Sequence, residues 1–141
     1  MHKRIFKRND GKDLILFGLK PHTENNTAEL EITPQTKPHL RWNPSRQEWV
    51  TYSASRSNRN SFPPKKYCPI CPGGNLNFPT EIPFNNFEVA VFPNRWPSFN
   101  THQDIIEIPN IKTKNSNGHC EVVVYSSNHL DTVAEMSIER L

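Results

Sequence analysis

Two cysteines separated by two residues, Cys68 and Cys71, are the side chains whose types and spacing point most directly to chemistry. In Cys68-Pro69-Ile70-Cys71-Pro72-Gly73-Gly74 a tight turn presents two thiolates about one tetrahedral edge apart, the arrangement a metal ion uses. A proline after each cysteine stiffens the turn, and the glycine pair lets the backbone reverse. Zinc favours such sulfur donors together with imidazole nitrogen. A redox dithiol is a competing reading, but no thioredoxin-like βαβ pattern surrounds the motif. Two unrelated cysteines in a turn is the plainest one.

A structural zinc site takes four ligands, so two more are needed. The downstream candidates are His102, His119, Cys120 and His129. His119 and Cys120 fall at the start of an expected strand, where neighbouring side chains face opposite ways. Cys120 reads better as a small apolar packing residue. His129 ends that strand at a loop, where a ligand can be aimed, although a solvated surface histidine is the ordinary alternative. No residue stands out as the fourth ligand.

The elements that must position these groups are short strands and long loops. Thirteen prolines against five glycines predict rigid turns and little helix. His39 to Tyr52 carries Leu40, Trp42, Trp49, Val50 and Tyr52 around the turn-forming Asn43-Pro44-Ser45-Arg46, a hairpin pattern. Ser53 to Lys66 reads as a polar, basic loop. Phe87 to Phe92 reads as a strand ending at Pro93-Asn94, Ile105 to Ile108 as a short strand, and Cys120 to Tyr125 as a strand with a β-branched run. Thr132 to Met136 is a candidate helical turn, and Ser137 resembles an N-cap with Glu139 in the first turn after it. Residues 1 to 38 read as a polar, partly ordered N-terminal arm with little periodicity beyond the apolar run Leu14 to Leu19, and Glu24 to Thr27 as a loop within it. The fold class expected is α+β, built on an antiparallel sheet.

Composition narrows the function. The chain has 141 residues, 34% of them apolar, and a mean hydropathy of -0.74. Seventeen basic and fourteen acidic side chains leave a net charge of +3. That excess is too small for a dedicated nucleic-acid binder and is compatible with an anionic small molecule; an ordinary solvated surface explains it equally well. The longest apolar run is far short of the roughly 20 residues that span a bilayer. Asp10 and Asp13 precede it and no small-residue cleavage site follows, which argues against a secretory signal. Three cysteines, two of them in a tight pair, make a poor disulfide framework, and a cytoplasmic location is expected.

Several segments, in order and spacing, resemble the opening of galactose-1-phosphate uridylyltransferases over roughly residues 39 to 141. They are Arg41-Trp42-Asn43-Pro44, Glu48-Trp49-Val50, Arg56-Ser57-Asn58-Arg59, Cys68-Pro69-Ile70-Cys71-Pro72, Val91-Phe92-Pro93-Asn94-Arg95-Trp96-Pro97-Ser98, and Gly118 through His129 followed by Leu130 to Ser137. The resemblance implies a half-barrel of the histidine-triad type carrying a zinc knuckle, with a second, similar half beyond this sequence. It implies zinc as cofactor, held by Cys68, Cys71 and His129 with a fourth ligand further along the family's chain. It implies UDP-glucose and galactose 1-phosphate as substrates and a homodimer for the full-length protein. Phe92, Asn94 and Trp96 match the segment that holds uracil and ribose. Arg56 and Arg59 match arginines that reach the phosphates of the neighbouring subunit's substrate.

These roles make physical sense. Aromatic faces stack on bases, asparagine offers both donor and acceptor, and the arginine fork suits diphosphate oxygens. The alternatives are that Phe92 and Trp96 are core and that Arg56 and Arg59 lie on a solvated loop. The family's nucleophile is a histidine in a His-Pro-His segment, and none of the six histidines here lies in one. The chain is therefore expected to be an N-terminal fragment without turnover. Two alternatives remain: half of a related nucleotide phosphorylase, or a free-standing zinc-knuckle module. That module would bind nucleic acid or nucleotide through Arg56, Arg59, Lys65 and Lys66.

Overall fold

The first element follows from a glycine. Gly11 sits at φ +77, where other residues are strained, and closes the turn between β1 (His2–Lys7) and β2 (Asp13–Gly18). The two strands pair antiparallel with Phe6 opposite Leu14 and Ile5 opposite Ile15. Alternation then sorts the faces: Phe6, Leu14 and Leu16 are buried, while Ile5 is exposed. The computed structural model describes residues 1–8, 10–23, 37–54, 56, 64–73, 80–101 and 105–140.

The next strand of this sheet is β5 (Val89–Pro93), antiparallel to β2 with Leu16 opposite Ala90. Between β2 and β5 in sequence come β3 (His39–Asn43) and β4 (Glu48–Tyr52), followed later by β6 (Thr113–Asn115) and β7 (Glu121–Val124). Two sheets result: a four-stranded one in the order β1-β2-β5-β7 and a three-stranded one in the order β4-β3-β6. The chain divides into two compact units, one of Met1–Glu31, Phe62–Phe92 and Val123–Leu141, the other of Ile32–Ser61 and Pro93–Val122.

The units are held by different forces. Among the described residues every buried apolar side chain other than Pro38 falls in the first unit: Phe6, Leu14, Leu16, Cys68, Ile82, Phe84, Phe87, Ala90 and Phe92. The Phe6 and Phe84 rings pack with centroids 4.6 Å apart and planes tilted by 34°. The second unit instead relies on cross-strand pairs of aromatic and cationic side chains. Trp42 and Trp49 face each other across β3 and β4 at 5.5 Å, and the Lys114 ammonium lies 4.3 Å from the Trp49 ring centre. Arg41 sits 4.1 Å over the Tyr52 ring. The β3–β4 turn is fixed by Asn43, whose Oδ1 accepts from the amides of Ser45 and Arg46, with Gln47 at φ +52.

The hairpin expected at His39 to Tyr52 is present, and the strands expected at Phe87 to Phe92 and Cys120 to Tyr125 appear with shifted or trimmed ends. Other expectations change. Residues 2–18 of the expected arm are two strands of the main sheet, because the continuous run Leu14 to Phe17 hides an alternation in burial. The helical turn expected at Thr132 to Met136 is present as the 3-10 turn Val133–Glu135, and Ser137 precedes another at Ile138–Arg140. The rest of the helical component reduces, among the described residues, to 3-10 structure at Ala54 and Arg56 and at Lys65–Tyr67. Such turns are too short to form alone, and each follows or precedes a proline or a polar cap rather than an apolar stripe. Ile105 to Ile108 forms only a bridge between Ile108 and Ile111. The loop expected at Glu24 to Thr27, Gly74, and residues 57–63 of the expected basic loop lie outside the described residues.

Candidate metal centre

The knuckle is built by the backbone before any metal is considered. The 3-10 turn Lys65–Tyr67 closes with the Cys68 amide donating to the Lys65 carbonyl at 3.2 Å, and delivers Cys68 into the core at 6% exposure. Within the motif, the Pro69 carbonyl accepts from the Glu81 amide at 2.7 Å. At its far end the Gly73 amide donates to the Ile82 carbonyl at 2.9 Å. Gly73 has φ +82, a backbone angle that favours glycine, and a Cβ there would meet the end of the exposed Asn85 side chain at 2.6 Å, which would have to turn aside. The Cys-x-x-Cys turn is thus bracketed by residues 81 and 82.

His129 arrives from the loop after β7. That loop is gripped by short polar side chains: Ser126 and Asn128 both donate to the Asp131 carboxylate. The Asn128 amide donates to Ser126 Oγ at 3.0 Å, and the Leu130 amide to Asn128 Oδ1 at 3.3 Å. This grip was not anticipated from the sequence, although the cluster of turn-forming Ser126, Asn128 and Asp131 around His129 is the signal that carries it.

The result is a convergence of three ligand atoms. Those of Cys68, Cys71 and His129 lie within 4.8 Å of one another, and Cys71 Sγ is 3.0 Å from His129 Nδ1. Burial, then the hydrogen bond and charge of the neighbouring Cys68, push the Cys71 thiol up to about 11, with Lys65 pulling the other way. Two sulfurs this close resist ionising together unless a cation lies between them. Two sulfurs and one imidazole nitrogen form a donor set that suits zinc. These residues therefore fit a metal ion. Among the described residues no fourth histidine, cysteine or carboxylate joins the group. His119 is exposed and Cys120 half-buried, both outside the cluster, and His102 lies outside the described residues.

The residues expected to contact nucleotide are placed as follows. Arg56 is exposed and its Nη1 donates to the Trp96 carbonyl at 3.2 Å. Asn94 Oδ1 accepts from the Trp96 amide at 2.9 Å, while the Asn94 amide donates to the Cys120 carbonyl at 2.8 Å. The second unit thus brings Arg56, Asn94 and Trp96 together, with Trp96 half-buried and the Arg95 guanidinium 5.7 Å from its ring centre. Phe92, at 2% exposure, is part of the first unit's core. Arg59 lies outside the described residues.

The family model described as the galactose-1-phosphate uridyl transferase N-terminal domain matches residues 28–141. The chain is similar to the galactose-1-phosphate uridylyltransferase of Thermotoga maritima, at 36% identity over 105 residues, covering 72% of this chain and 31% of that protein. It is also similar to the galactose-1-phosphate uridylyltransferase of Streptomyces lividans, at 27% identity over 99% of this chain and 35% of that protein. It thus spans about a third of the length of these curated relatives. No solved structure matches it. With three ligand atoms meeting in the segment the family model covers, the chain belongs to the galactose-1-phosphate uridylyltransferase family, in its N-terminal domain.

Proposed function

We propose that this chain forms the zinc-bearing, nucleotide-facing part of a UDP-glucose–hexose-1-phosphate uridylyltransferase of galactose metabolism. The observation that carries the reading is the meeting of Cys68, Cys71 and His129, from distant parts of the sequence, close enough to hold a metal ion within the segment that the family model covers. Zinc would be structural here, tying the knuckle to the loop after β7. Arg56, Arg59, Asn94 and Trp96 would hold the uridine and diphosphate of UDP-glucose. Phe92, the fifth residue of that set, would act from within the strand that leads to Asn94, since its ring is buried.

The sheets belong, in this proposal, to a half-barrel of the histidine-triad type in a homodimeric, cytoplasmic enzyme. The reaction is a double displacement. A histidine nitrogen bonds to the α-phosphorus of UDP-glucose as the bond to glucose 1-phosphate breaks. The phosphate oxygen of galactose 1-phosphate then displaces the histidine and leaves as UDP-galactose. That nucleophile is not among the histidines of this chain, which would contribute binding and scaffold rather than bond-making.

Titration calorimetry of the zinc-loaded chain against UDP-glucose and ADP-glucose tests the substrate class. Uridine nucleotide should bind more tightly, and Asn94→Ala should remove the preference by taking away the group that addresses the base or sugar. Equal affinity for the two nucleotides would favour a nucleotide phosphorylase half. Tight binding of single-stranded nucleic acid that weakens steeply with salt would favour the binding module.

A further inference from the structure

We infer that Arg8 is a positioning residue for the metal knuckle, acting through Glu81. This rests on the reading that Cys68, Cys71 and His129 hold zinc. Arg8 opens the turn between β1 and β2, where its amide donates to the Lys12 carbonyl and its carbonyl accepts from the Gly11 amide, both at 2.9 Å. Its side chain, 8% exposed, reaches the Glu81 carboxylate, 5% exposed, with Nη2 2.8 Å from Oε2. Asp10 Oδ2 stands 3.5 Å from the same nitrogen.

Glu81 is also the residue whose amide holds the Pro69 carbonyl between the two cysteines, and the next residue, Ile82, holds Gly73 after them. A connected path therefore runs from the Arg8 guanidinium to the Glu81 carboxylate, through the backbone of residues 81 and 82, to the turn that sets the spacing of the two sulfurs. All of it lies in one unit. Removing Arg8 breaks a buried ion pair from one side, which is costly and shifts the remaining carboxylate. The segment that brackets the cysteines then moves with it. Groups that orient metal ligands without touching the metal typically change metal affinity about 10- to 100-fold. Arg8 lies before residue 28, so the clamp comes from a part of the chain the family model does not cover.

The test is zinc competition against a chromophoric chelator, using the full chain and its Arg8→Met and Arg8→Lys variants. Arg8→Met should bind zinc about 10- to 100-fold more weakly, and the cobalt-loaded variant should show an altered thiolate-to-metal band. Arg8→Lys should recover most of the affinity, because the closest contact to Glu81 is through one nitrogen and needs a charge more than a fork. If Arg8→Met does not fold, Glu81→Gln keeps the shape, removes the charge and should weaken zinc binding in the same direction. A folded Arg8→Met chain with unchanged zinc affinity and an unchanged cobalt spectrum overturns the clamp. So does a lower melting temperature without loss of affinity, since that is the result of a purely structural pair. A wild-type chain that holds no zinc overturns instead the metal reading on which the clamp depends.

Discussion

At Cys71, burial and the Cys68 sulfur act in the same direction, holding the thiol proton until about pH 11 against an ordinary value of 9.0. The folded chain without metal binds this proton more tightly than the unfolded chain does. Its contribution is complete below pH 9 and is lost as pH rises toward 11. Metal-stripped chain should therefore melt at a lower temperature at the upper end of that window, and Cys71→Ala should reduce the difference. Zinc loading should also remove it, because the bound sulfur is already deprotonated. Thermal melts of both variants across that range check the point, and parallel pH profiles would remove the argument. The cysteine pair was legible in the sequence because two thiols at this spacing leave few chemical options. His129 was legible only through the order of motifs around it, since a single histidine at a strand end carries no signal of its own. The Arg8–Glu81 pair joins residues 73 positions apart and no local pattern announces it.

At the scale of elements, the first two strands decide how the N-terminal segment behaves. Leu16 is fully buried, opposite Ala90 in the register of β2 and β5, while Leu19 is 72% exposed just past the strand. Leu16→Ala should cost about 2–5 kcal/mol, the transfer loss plus the cavity left behind. Leu19→Ala should stay within about 0.5 kcal/mol. Urea unfolding of the two variants separates the cases, and equal small losses would return residues 2–18 to the status of a loose arm. The β3–β4 hairpin could be read in advance because Asn43-Pro44-Ser45-Arg46 has its own turn chemistry and the flanking residues are β-prone. β2 could not be read as one face of a sheet because four apolar residues in a row erase the alternation. β6 is Thr113-Lys114-Asn115, with no apolar residue; its pairing with β3 is carried by the backbone, while Lys114 reaches past β3 to the Trp49 ring on β4.

At the scale of the whole molecule, the chain passes four times between its two units, so each is assembled from distant segments. Knuckle and apolar core belong to one unit, and the Arg56–Asn94–Trp96 group to the other. The division separates scaffold from candidate nucleotide contacts and leaves bond-making to be accounted for. Two of the six histidines, His22 and His39, follow a proline, but each is preceded there by lysine, in Lys20-Pro21-His22 and Lys37-Pro38-His39. Both are also buried, at 7% and 9% exposure. His129 has its Nδ1 against Cys71. Incubated with UDP-glucose labelled in the phosphate attached to uridine, this chain should release no glucose 1-phosphate above the blank and retain no label after gel filtration under denaturing conditions. Stoichiometric retention of label would mean that one of these histidines is a nucleophile after all. Peptide mapping of the labelled chain would then identify which one, and the assignment of this chain to binding and scaffold would fall with it.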